Sequence, residues 1–146
     1  MFDRETVKIL GDCENFGDKI IVKSDLHSVI ETVITKYGFD MLKSITAVDK
    51  KEEGVELIYL LYSTENDEDL KISVTVKDEA ETVTDLFQSA IADENEIYDL
   101  FGIKFSGNKN LKRLYMPEDW EGFPLRKDYI ESDTRLAWND DNDTQT

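Results

Sequence analysis

The chain has one cysteine, Cys13, and one histidine, His27, in 146 residues. A lone cysteine closes no internal disulfide, which fits a reducing compartment. The two residues together cannot fill a typical zinc site or hold an iron–sulfur cluster. The seven glycines match neither GxGxxG nor GxxxxGK followed by Ser or Thr, so no phosphate-cradling loop is predicted. No apolar run approaches the ~20 residues that cross a bilayer. The opening MFDRETVKIL has no basic stretch leading into an apolar one, so it does not read as a secretory signal. Positive charge is scarce: 17 Lys and Arg against 33 Asp and Glu leave a net charge of −16. That balance disfavours non-specific binding to nucleic acid or anionic lipid. A soluble, cytosolic chain is the expectation.

Catalytic groups are equally thin. His27 borders an apolar helical stripe and Cys13 has no motif partner, so both read as ordinary surface or boundary residues. Glu94 and Glu96 are two residues apart, do not share a helical face, and make a poor acid–base dyad. Chemistry alone points to a binding or scaffold domain rather than an enzyme.

What is present is pattern. Residues 19–23 (KIIVK) read as a strand, and Ser24 stands where an N-cap belongs. Leu26, Val29, Ile30, Val33, Ile34 and Tyr37 form one helical face, stopped by Gly38. Residues 41–48 read as a strand. Residues 55–63 (VELIYLLYS) read as a central strand covered on both faces. Residues 70–77 alternate, with Leu70, Ile72, Val74 and Val76 inward. A second helix is expected from about Thr82, its stripe running through Val83, Leu86, Phe87, Ala90 and Ile91 to Ile97, Tyr98 and Phe101. In that phase Glu94 falls on the apolar face and needs a partner or a proton. The fold class is α+β: a two-layer α/β sandwich with a small, mostly antiparallel mixed sheet and two helices, plus an extended C-terminal arm. The expected division is a domain over residues 1–103, an arm over 104–138 and an acidic disordered tail over 139–146.

After Gly102 the period is lost, and Gly107, Pro117, Gly122 and Pro124 interrupt regular structure. Residues 102–129 carry six Lys and Arg against four acids, a basic island in an acidic chain. Such an island suits a local docking surface for an acidic partner; folding back on its own acidic domain is the other option.

Two blocks here resemble the signature of the 30-kDa subunit family of respiratory complex I, which includes the equivalent subunit of energy-converting, membrane-bound nickel–iron hydrogenases. In the family a Glu-Arg-Glu triplet precedes an Asp-Leu/Met-Phe/Tyr-Gly-Ile-x-Phe run. Here these are Glu94-Asn95-Glu96 and Asp99-Leu100-Phe101-Gly102-Ile103-Lys104-Phe105. The closing block is Pro117, Asp119, Trp120, Gly122, Pro124, Leu125, Arg126, Lys127, Asp128 and Tyr129. The chain departs from the family at Asn95 (Arg in the triplet), at Gly107-Asn108-Lys109 (usually Gly-His-Pro) and at Ala92 (commonly Trp). These departures are compatible with a divergent, hydrogenase-type relative.

The resemblance implies a scaffold subunit with no cofactor of its own. It would be peripheral to the membrane, on the cytoplasmic side, held there by other subunits. It would dock onto a large subunit related to nickel–iron hydrogenases and lie near iron–sulfur subunits, with flavin or a nickel–iron centre elsewhere in the complex. Trp120, Phe123 and Trp138 are the expected apolar anchors. Arg113, Arg126 and Lys127 are expected to pair with partner carboxylates, and Pro117 and Pro124 to stiffen the arm. Glu94 is expected to pair with Arg113 or Arg126. The remaining signature positions, Glu96, Asp99, Phe101, Gly102, Asp119, Gly122, Leu125 and Asp128, complete the candidate partner-binding set. The alternative is a stand-alone acidic adaptor or inhibitor with no redox role.

Overall fold

The computed structural model describes residues 13–16, 19–23, 25–113, 115–117 and 121–126. Ser24, Asp119, Trp120, Lys127, Asp128 and Trp138, each assigned a role above, lie outside the described residues.

Five strands form the main sheet: β1 (Cys13–Phe16), β2 (Lys19–Val22), β3 (Met41–Asp49), β4 (Val55–Ser63) and β5 (Glu68–Val76). Their order is β1-β2-β5-β4-β3. Only the β2–β5 pair is parallel; the other pairs are antiparallel. The parallel pair follows from the connection, because helix α1 (Leu26–Tyr37) carries the chain from β2 to the far edge at β3. Gly38, in the left-handed region at φ 75°, ends α1, and its N–H and that of Phe39 return to the carbonyls of Ile34 and Val33. This is the glycine stop that the spacing predicts.

One face of the sheet is the core. Val55, Leu57, Tyr59 and Leu61 alternate along β4 and are fully buried. The α1 stripe of Leu26, Val29, Ile30 and Val33 packs into the same cluster, as do Ile20, Val22, Ile45 and Ile72. The opposite face of β4 is not covered as expected: Ile58, Leu60 and Tyr62 are half-buried. Glu56, on that face, is buried by pairing. It meets Lys19 Nζ at 2.8 Å and accepts the Ser73 hydroxyl at 2.6 Å, and these bonds hold its carboxyl below the usual range.

The second helix differs from its sequence reading. Helix α2 spans Ala90–Phe101 and begins eight residues later than expected. Strand β6 (Glu79–Glu81) pairs in parallel with β7 (Lys104–Ser106), forming a two-stranded ladder. The Thr82 N–H extends that ladder to the Ser106 carbonyl. Residues 79–82 are therefore extended, and a single turn at 83–87 intervenes before α2, with Phe87 N–H bonded to the Val83 carbonyl. Val83, Phe87 and Ala90 remain buried in the core. The apolar spacing thus marks an inward face correctly, while the turn closed by the Leu86 and Phe87 N–H groups on the Val83 carbonyl defers the helix to Ala90. The expected arm boundary at residue 104 falls inside the β6–β7 ladder, where Phe105 is buried.

Candidate docking site at the end of helix α2

An α-helix ends with carbonyls that have no partner in the helix and with a partial negative charge. Helix α2 has no basic residue in its last turn. The signature segment supplies both hydrogen-bond donors and positive charge. Arg113 Nη1 donates to the Asp99 carbonyl at 3.2 Å, the Leu125 N–H to the Leu100 carbonyl at 2.9 Å, and Arg126 Nε to the Phe101 carbonyl at 2.6 Å. Three consecutive carbonyls of the final turn are capped from 14 to 25 residues downstream.

Asp99 is the hub. Its side chain is fully buried, and Oδ1 pairs with Arg113 Nη1 at 3.0 Å. Oδ2 accepts the Tyr115 N–H at 2.7 Å and the Met116 N–H at 3.0 Å. A buried carboxylate survives only with such compensation. Arg113 then ties the two halves of the segment together: Nη2 donates to the Gly122 carbonyl at 3.1 Å, and the guanidinium lies over the Phe123 ring at 5.0 Å. Phe123 rests against Gly102, which stops α2 at φ 79°. A Cβ on Gly102 would sit 2.5 Å from that ring, so ring and glycine specify each other. Arg126 Nη2 also reaches the Lys77 carbonyl at 3.4 Å and lies 4.0 Å from Asp78.

Asn95, the central residue of the Glu94–Glu96 triplet, is buried, and its Oδ1 accepts the Lys112 N–H at 3.2 Å. Asn108 Oδ1 accepts the Asn110 N–H at 2.9 Å.

Several expectations are corrected by this geometry. Arg113 pairs with Asp99 rather than with Glu94, and Arg126 caps the helix. Glu94 is fully buried but is met by Thr82, whose hydroxyl lies 2.6 and 2.8 Å from its two oxygens. Burial pushes the Glu94 carboxyl up to about 7, against the pull of the Thr82 hydroxyl and the Val83 N–H. Tyr59 Oη is buried with no hydrogen-bond partner, and burial, with the Glu94 charge, raises its pKa. Phe123 packs against its own chain. Phe101 is in the core, Glu96 and Pro124 are half-buried, and Pro117 and Gly122 are exposed. Tyr115 and Leu125 are the outward residues, 63% and 52% exposed. Nothing in the sequence marks Thr82 as the partner of Glu94 or Tyr59 as its neighbour, because neither stands in a motif.

Among the described residues no cluster of three or more His, Cys, Asp or Glu could hold a metal ion, and no helix is long and apolar enough to cross a membrane. An open depression of about 380 Å³ beside β5 and β6, lined by Leu26, Val76, Glu79 and Ser106 among others, contains no histidine or cysteine.

The model of the family described as "Respiratory-chain NADH dehydrogenase, 30 Kd subunit" matches residues 20–135. The chain belongs to this family. It is 39% identical to an NADH-quinone oxidoreductase subunit of Trichlorobacter lovleyi over 122 residues, covering 77% of this chain and 75% of that protein. It is 36% identical to the like-named protein of Moorella thermoacetica over 115 residues, covering 75% and 78%. It is also 40% identical over 97 residues to a longer NADH-quinone oxidoreductase subunit of Phocaeicola vulgatus, covering 64% of this chain but only 19% of that protein. Among solved structures, a chain of the membrane-bound sulfane sulfur reductase, an archaeal respiratory membrane complex, superposes with a TM-score of 0.74. Its identity is 26%, and the match covers 94% of this chain and 89% of that one. The family assignment made from the two signature blocks, and the α+β fold, are thereby established.

Proposed function

We propose that this chain is a cofactor-free scaffold subunit in the hydrophilic arm of a complex-I-type oxidoreductase. It docks on the nickel–iron-hydrogenase-like large subunit, beside the iron–sulfur subunits, on the cytoplasmic side of the membrane. Its part in electron transfer coupled to ion translocation is to hold those subunits in place. The observation that carries this reading is the signature segment itself. Its buried charges are satisfied within the chain, while large apolar side chains in the same segment remain exposed. Tyr115 and Leu125, 63% and 52% exposed on a segment otherwise tied to α2, would supply apolar contact area to a partner.

The test is affinity purification of the tagged full chain from its native source. Iron–sulfur and hydrogenase-like large subunits should travel with it. A variant lacking residues 107–146, compared with the full chain at a temperature where circular dichroism shows both folded, should lose them. Recovery of the full chain alone would refute the proposal and favour an acidic adaptor; co-purification of the truncated chain would refute docking through the segment.

A further inference from the structure

The signature divides its labour between inside and outside. Arg113, Asp99, Phe123 and Arg126 all point into the chain. Tyr115 and Leu125 point out, and both are anchored through their backbone N–H groups at adjacent residues of α2, Asp99 and Leu100. The Arg113 bond to the Gly122 carbonyl keeps the two stretches together. Of the four large hydrophobic residues that are exposed among the described residues, these two share this site; Met41 and Val48 lie on β3.

Charge follows the same division. Both arginines of the site serve α2. Lys104, Lys109 and Lys112 are exposed, and among the described residues none pairs with a carboxylate. Lys112 is fixed beside the hub through its N–H bond to Asn95. Lys104 is fixed through its N–H bond to the backbone carbonyl of Asp78, the acid that Arg126 approaches.

We infer that Arg113, Arg126 and Asp99 of the signature do not touch the partner, and that Tyr115 and Leu125 enter an apolar cleft on the large partner subunit, whose rim carries carboxylates facing Lys104, Lys109 and Lys112. This rests on the docking role proposed above. Asp99 and Arg113 are positioning residues: they hold the two apolar side chains at one place before binding, which lowers the ordering cost of association. Apolar anchors supply the affinity, and lysines at the rim supply encounter rate and salt dependence.

The experiment uses the full chain with its co-purifying complex and three variants: Tyr115→Ala with Leu125→Ala, Lys104→Gln with Lys109→Gln and Lys112→Gln, and the deletion of residues 107–146. The double variant should retain at least about tenfold less partner at an unchanged melting temperature, since both side chains are exposed; tenfold corresponds to about 1.4 kcal/mol. The lysine variant should show a flatter dependence of partner retention on ionic strength. Full retention by the double variant overturns this inference and leaves the docking role standing, since the partners still travel with the chain. Retention by the deletion variant overturns the docking role itself. A double variant that loses partner only in step with a lowered melting temperature also overturns the inference, because the side chains would then serve the fold.

Discussion

Glu94 and Asp99 lie five residues apart on α2, are both fully buried, and are stabilised in opposite ways. Asp99 is met by an arginine and two backbone amides; Glu94 has only hydroxyl and amide donors and is pushed up to about 7. An acid whose folded pKa is raised binds its proton more tightly when folded. Stability therefore falls as pH rises from about 4.5, its unfolded value, to about 7, and the full cost is present above that. Glu94→Gln should leave the melting temperature unchanged near pH 4.5, raise it at pH 8, and flatten the profile between; a Gln variant less stable than the parent at pH 8 would contradict this. His27 acts in the same direction. Its bond to Asp85 raises its pKa, so the stability it contributes is present below about 6.5 and is lost as pH rises through its folded value. Asp99→Asn, by contrast, leaves Arg113 without its buried carboxylate and should cost roughly 3–5 kcal/mol, measured by urea unfolding.

At the scale of elements, the α2 terminus and the signature segment behave as one unit. Gly102→Ala combines a left-handed backbone with a clash against Phe123. It should cost about 1–3 kcal/mol from the backbone alone, with an added steric part that Phe123→Ala relieves, so the two changes should be non-additive in a double-mutant cycle. This unit also marks how far the sequence could be read. The α1 stripe, the alternation of β5 and the glycine stop at Gly38 are local and were legible from spacing. The start of α2 was not, because Val83, Leu86, Phe87 and Ala90 keep helical spacing while the chain makes a separate turn at residues 83–87, and strand β6 before it is too short to show a period. The buried acid on the α2 stripe was legible, but not its partner. Which carboxylate an arginine 14 residues downstream reaches depends on how the intervening chain turns, and here Asp99, not Glu94, lies within reach of Arg113.

For the whole molecule, the docking proposal makes the two-layer domain a base and the signature segment the face it presents. The net charge of −16 repels other acidic surfaces, and the proposal assigns the local attraction to Lys104, Lys109 and Lys112. The first signature block is largely internal, with Glu94, Asn95, Asp99, Phe101, Ile103 and Phe105 buried, whereas Pro117, Gly122 and Leu125 of the closing block are exposed. Leu125 is a motif position, and Tyr115 lies outside both blocks. The motif blocks pointed to the family and the apolar spacing to the fold; only the geometry separates side chains turned into the chain from those exposed on it.

The most direct test is a photo-crosslinking amino acid placed at Leu125 of the full chain within its native complex. The account predicts a covalent product with the hydrogenase-like large subunit, and none when the same group replaces the buried Phe101. Products confined to this chain, or captured equally from both positions, would contradict it.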